Sequence, residues 1–76
     1  MIMTSEKEFL NFVAGIFEVD PASISLETAY ESIPAWDSIM QLRLTLELGG
    51  EYNIEIPVDE IANIKTLAGF YKYVNA

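Results

Sequence analysis

The sequence predicts an all-α fold: a small four-helix bundle, with three main helices, one short helix and a long first loop. Three observations predict it. Apolar residues recur at helical spacing in three separate segments. The single stretch with strand-like alternation, Tyr52-Asn53-Ile54-Glu55-Ile56-Pro57, has no second strand to pair with. A proline-bracketed connection, residues 19–36, separates the first helical pattern from the second. A short chain with a long first connection points to an antiparallel-type bundle with a crossover.

The first helix is expected over residues 5–18. Ser5-Glu6-Lys7-Glu8 reads as a capping box, in which the serine caps the N–H three residues on and Glu8 reaches back. Phe9, Leu10, Phe12, Val13, Ile16 and Phe17 then form one apolar face. Gly15 lies inside it at a cost of about 1 kcal/mol. Asp20-Pro21 reads as a turn or helix stop. In the connection that follows, Ile24, Leu26, Tyr30 and Ile33 are expected to pin the loop across the bundle.

The second helix starts at Asp37 or Ser38, and either side chain can cap it. Ile39, Leu42, Leu46 and Gly49 share one face, Leu44 and Leu48 lie alongside, and Met40, Arg43 and Glu47 form another stripe. Gly49-Gly50 is expected to loosen or end this helix after about 11 or 12 residues. Trp36, just before the cap, reads as an apolar staple folded onto the first turns rather than a ligand-stacking group. Residues 52–57 read as an extended connector with Ile54 and Ile56 turned inward, and residues 59–64 as one or two helical turns. Thr66 is expected to cap the last helix, whose buried face is Leu67, Phe70, Tyr71 and Val74.

The 76 residues are read as one domain, near the lower size limit for a core without staples. There is no cysteine and no histidine, so neither disulfides nor the commonest metal ligands are available. The calcium-loop pattern is also absent, and no metal is expected. The stretch Met1 to Glu8 lacks the basic and apolar regions of a signal peptide, and a cytoplasmic location without a membrane span is expected. The net charge is −8, with twelve acidic residues against four basic ones, which argues against nucleic acid. That charge favours encounter with basic patches on other proteins, or serves solubility alone.

Asp37-Ser38-Ile39 stands where loop gives way to helix. A serine hydroxyl needs a neighbouring base to act as a nucleophile. The basic side chains here are only Lys7, Arg43, Lys65 and Lys72. No catalytic residue is therefore assigned, and Ser38 reads as a place where another enzyme attaches a group. The free N–H groups and dipole of a helix start suit a phosphodiester.

Trp36-Asp37-Ser38-Ile39, Leu42, Leu44, Leu48, Glu51-Tyr52, Ile54-Glu55-Ile56-Pro57, Glu60, Ile64 and Thr66-Leu67 together resemble the acyl carrier protein family. The resemblance spans nearly the whole chain and is firmest over residues 36–67. It implies a non-catalytic carrier whose Ser38 receives 4′-phosphopantetheine from coenzyme A through a phosphopantetheinyl transferase. The arm's thiol would then hold acyl groups as thioesters. Asp37 would engage the transferase, and Ile39 would contact partners or pack beside the arm. Met40, Arg43, Glu47 and Ile61 fall at partner-binding positions. Leu48, Ile56, Ile61 and Ile64 fall at acyl-pocket positions, where they also serve as core. The partners implied are acyl-loading and acyl-transferring or condensing enzymes with basic patches, met by a monomer.

Met40 and Arg43 stand where carriers of primary fatty acid synthesis are usually acidic, and Gly49-Gly50 replaces an acidic pair. This favours a dedicated carrier for a lipid, polysaccharide or natural-product pathway over ordinary surface drift. An aminoacyl or peptidyl carrier is the nearest alternative. An unmodified acidic helical module that only binds proteins is the alternative from another class.

Overall fold

The computed structural model describes residues 5–75. Four α-helices are present among them: α1 (Glu6–Phe17), α2 (Ser38–Tyr52), α3 (Val58–Ile61) and α4 (Leu67–Val74). The bundle of three main helices and one short one is the architecture the apolar spacing implies. Residues 1–4, part of the Met1 to Glu8 stretch compared with a signal peptide, lie outside the described residues.

α1 is capped by Ser5, whose hydroxyl oxygen accepts from the Glu8 N–H at 3.1 Å. The reciprocal half of the box is altered: the Ser5 hydroxyl donates to Glu8 Oε1, also at 3.1 Å. Phe9, Val13, Ala14, Ile16 and Phe17 are buried, the stripe that the spacing marks. The helix stops at Glu18, which takes a left-handed conformation (φ 61°) and returns its N–H to the Ala14 carbonyl. Asp20 caps a single 3₁₀ turn, Pro21–Ser23, by accepting from the Ala22 N–H at 2.9 Å.

The long loop is stitched to the start of α4 through the backbone. The Tyr30 N–H donates to the Lys65 carbonyl at 2.8 Å, and Ala29 and Thr66 form an antiparallel bridge. The N–H groups of Leu67 and Ala68 donate to the Thr28 and Leu26 carbonyls at 3.2 and 2.9 Å. This corrects the expectation for Thr66. It occupies the cap position, but its side chain makes no capping hydrogen bond. Loop carbonyls satisfy donors of the first turn instead, so a distant segment serves as the cap.

α2 packs against α1, α3 and α4. It does not end at the glycine pair but runs 15 residues, through Gly49-Gly50 to Tyr52. Each glycine costs a helix about 1 kcal/mol, and contacts beyond them offset this. Tyr52 meets the Phe12 ring edge-on at 5.8 Å. Asn53 takes the left-handed cap (φ 52°), and Ile54 donates to the Gly49 carbonyl at 3.2 Å. A Cβ at Gly49 would stand 3.2 Å from the Ile54 carbonyl oxygen, so the missing side chain lets the connector turn back tightly.

The buried side of α2 is Gln41, Leu44 and Leu48. Ile39, Leu42 and Leu46 are exposed. Trp36 is more than a local staple. It is 1 % exposed and sits in the aromatic centre of the core, with the rings of Phe17, Tyr30 and Phe70 at 5.6, 5.9 and 6.5 Å. Ile24 is buried and Leu26, Tyr30 and Ile33 pack against the core, which is how the loop is pinned. In the connector, Ile56 is buried and Ile54 is partly so.

Candidate functional site

Asp37 and Ser38 divide the start of α2 between them. Asp37 is the cap, in extended conformation, and its Oδ1 accepts from the Met40 N–H at 2.8 Å. Its carbonyl accepts the Gln41 N–H at 2.9 Å. Ser38 is the first helical residue, and it is exposed. No group among the described residues hydrogen-bonds its hydroxyl. The competition between two possible caps is thus resolved in favour of Asp37, and the Ser38 hydroxyl has no capping role. It stands where the positive end of the helix favours an anionic group. No cluster of metal-ligating side chains exists among the described residues.

Ser38 opens onto a groove of about 410 Å³ between α2, α3 and the long loop. Its walls include Leu42, Val58, Ile61 and Ile64, with Tyr30 and Lys65 also lining it. An exposed hydroxyl thus stands beside a groove with largely apolar walls. Of the acyl-pocket positions, Ile61 and Ile64 line the groove, whereas Leu48 and Ile56 lie within the core. Of the partner-binding positions, Met40 is half-buried, Arg43 and Glu47 are exposed, and Ile61 is buried. Arg43 and Glu47 pair with each other at 3.6 Å across one turn. Lys65 lies 5.9 Å from the centre of the Tyr30 ring.

Gln41 belongs to this site although no sequence pattern singled it out. It is the one buried polar residue among those described, and it lines the groove. Its Oε1 accepts from the Trp36 indole N–H at 2.7 Å. Its Nε2 donates to the Ile61 carbonyl at 2.9 Å and the Ile64 carbonyl at 3.0 Å. One amide thus ties α2 to both α3 and the turn after it. Withdrawing it would orphan the indole N–H and the Ile64 carbonyl, at about 1–3 kcal/mol each. Burying one CH₂ contributes about 0.8 kcal/mol, so on the order of five methylenes would be needed to offset that loss. The signal that could have found Gln41 is an amide spaced three and seven residues before Leu44 and Leu48, at the head of their stripe.

The comparisons with known proteins agree with this geometry. The family described as phosphopantetheine attachment site matches residues 7–74. An acyl carrier protein of Lactobacillus acidophilus is 36% identical, over 95% of this chain and 95% of its own. Acyl carrier proteins of Rickettsia typhi and Rickettsia prowazekii are each 30% identical, over 91% of this chain and 80% of theirs. With a free serine at a helix start, a groove beside it and these relatives over almost its whole length, the chain belongs to the phosphopantetheine-bearing acyl carrier protein family.

Proposed function

We propose that Ser38 bears the 4′-phosphopantetheine arm and that the chain serves as a dedicated acyl carrier in a lipid, polysaccharide or natural-product pathway. The observation that carries the attachment site is the division of labour at the start of α2. Asp37 satisfies the Met40 N–H, and the Ser38 hydroxyl remains exposed and unbonded. The arm, when attached, supplies a terminal thiol on which acyl groups travel as thioesters. The chain's own part is to hold the anchor point rigid on a 15-residue helix and to offer an apolar groove beside it. As a carrier it performs no catalysis; it is the transferase's substrate.

The exposed residues of α2 are the proposed partner face. Ile39, Leu42 and Leu46 give it apolar area, and exposed Arg43 and Glu47 beside half-buried Met40 give it a mixed rather than uniformly acidic character. This supports service to cognate loading and condensing enzymes rather than to the general fatty acid set. Among the described residues no helix is long and apolar enough to cross a membrane; a cytoplasmic monomer is proposed.

The test is loading. The pantetheinylated chain is offered activated acyl and aminoacyl donors with their transfer enzymes, and the products are read by mass. Acylation in preference to aminoacylation is expected. Preferential aminoacylation would establish the carrier of the other class.

A further inference from the structure

The groove beside Ser38 does not continue freely into the core. Gln41 stands between them, and its amide is tied to the Trp36 indole N–H and to the carbonyls of Ile61 and Ile64. Leu48 and Ile56, the deeper of the acyl-pocket positions, do not line the groove. A chain that entered the core between α2 and α3 would have to separate α3 from α2. That separation breaks the Gln41 bonds and leaves buried polar groups without partners. Each added CH₂ returns only part of that loss, so short chains cannot offset it. The outer groove, by contrast, is accessible without breaking any of these bonds.

We infer that Gln41 is a specificity-determining residue that bolts α3 to α2, and that this carrier's cargo is a short acyl group, of roughly four carbons or fewer, held in the outer groove. The inference rests on the proposed carriage of acyl groups on Ser38. Trp36, the only tryptophan of the chain, is bonded to Gln41 and therefore reports on the bolt. Chains with fewer than about five methylenes cannot offset the lost Gln41 bonds and stay out of the core.

The experiment compares the pantetheinylated chain with its butyryl and hexanoyl forms, each verified by intact mass before use; hexanoyl has four methylenes and so stays below the number that would offset the Gln41 bonds. Failure to form the loaded species would count against the carrier reading itself, and is seen at that step. On the wild-type loaded forms, the inference expects the same Trp36 emission maximum and melting midpoints within about 2 °C of each other. Gln41→Met removes the bonds at similar volume. In that variant hexanoyl should raise the midpoint above butyryl by about 5 °C or more, because the core is then open to it. A purely structural role for Gln41 would lower both forms equally and leave no dependence on chain length. Gln41→Asn, a milder change, should show the same length dependence in smaller measure if Gln41→Met does not fold. A hexanoyl form of the wild type that melts several degrees above the butyryl form, with a shifted Trp36 emission, would overturn the inference. So would variants that fold and still ignore chain length.

Discussion

Asp37 Oδ1 lies 2.8 Å from the Met40 backbone nitrogen, while the neighbouring Ser38 hydroxyl bonds to nothing in the described structure. Capping and attachment are thereby assigned to different residues, and mutation should separate them. Asp37→Ala should cost about 1 kcal/mol of stability, the usual loss of a cap. Ser38→Ala should stay within about 0.5 kcal/mol of the parent, as an exposed residue with no cap to lose. Denaturant unfolding of the two variants measures this directly. Equal losses would mean that the serine shares the cap.

Two helical glycines should respond to alanine in opposite directions. At Gly15 an added Cβ meets nothing within 4 Å. Gly15→Ala should therefore stabilise the chain by about 0.5–1 kcal/mol through helix propensity. At Gly69 the same atom would stand 2.9 Å from Ile64 Cγ2, on a β-branched side chain with little freedom to yield. Gly69→Ala should be net destabilising, since overpacking costs about 1–3 kcal/mol and exceeds the propensity gain. Melting curves of both variants test the pair. A stabilised Gly69→Ala would show that Ile64 can move without loss.

α1 and α4 were legible because one face of each is apolar and the other is not: Phe9, Val13 and Phe17 on one, Leu67 and Phe70 on the other. α2 carries large apolar residues on two faces, so spacing alone could not say that Leu44 and Leu48 go inside while Ile39 and Leu46 stay out. The head of the buried stripe is polar Gln41, and its partners are carbonyls 20 and 23 residues further on, which no local pattern reveals. The end of α2 was misplaced for a related reason. Glycine propensity is local, whereas Tyr52 on Phe12 and the Ile54 bond to Gly49 are tertiary. The helix start at Asp37-Ser38 was legible because a cap needs only local context; the groove beside it was not, because Val58 and Ile64 come from segments that meet it only in the folded chain.

Arg43 and Glu47 form an exposed pair 3.6 Å apart on the proposed partner face. Such a pair contributes about 0.3–0.5 kcal/mol to stability, so its charge matters more for encounter than for folding. Arg43→Glu should leave the melting midpoint nearly unchanged. It should speed association with a general fatty acid condensing enzyme and slow it with the cognate partner. Association rates at low and moderate salt provide the measurement, and unchanged rates with both enzymes would remove Arg43 from partner choice.

Twelve acidic residues oppose four basic ones, and Arg43–Glu47 is the ion pair seen among the described residues. Glu51, Glu55, Asp59 and Glu60 are all exposed around the connector and the four-residue α3. Screening their repulsion should raise the melting midpoint as salt increases. Hydrogen exchange over residues 52–66 should be faster than in α1 and slow with added salt. A midpoint independent of salt would show that the charges are too well solvated to matter.

The central claim is that Ser38 is where the arm attaches, and intact mass after incubation with a broad-specificity phosphopantetheinyl transferase and coenzyme A tests it most directly. The wild-type chain should gain the mass of one phosphopantetheine, and Ser38→Ala, folded to the same extent by circular dichroism, should gain none. A wild-type chain whose mass does not change, or a Ser38→Ala chain that takes up the arm, would contradict the account.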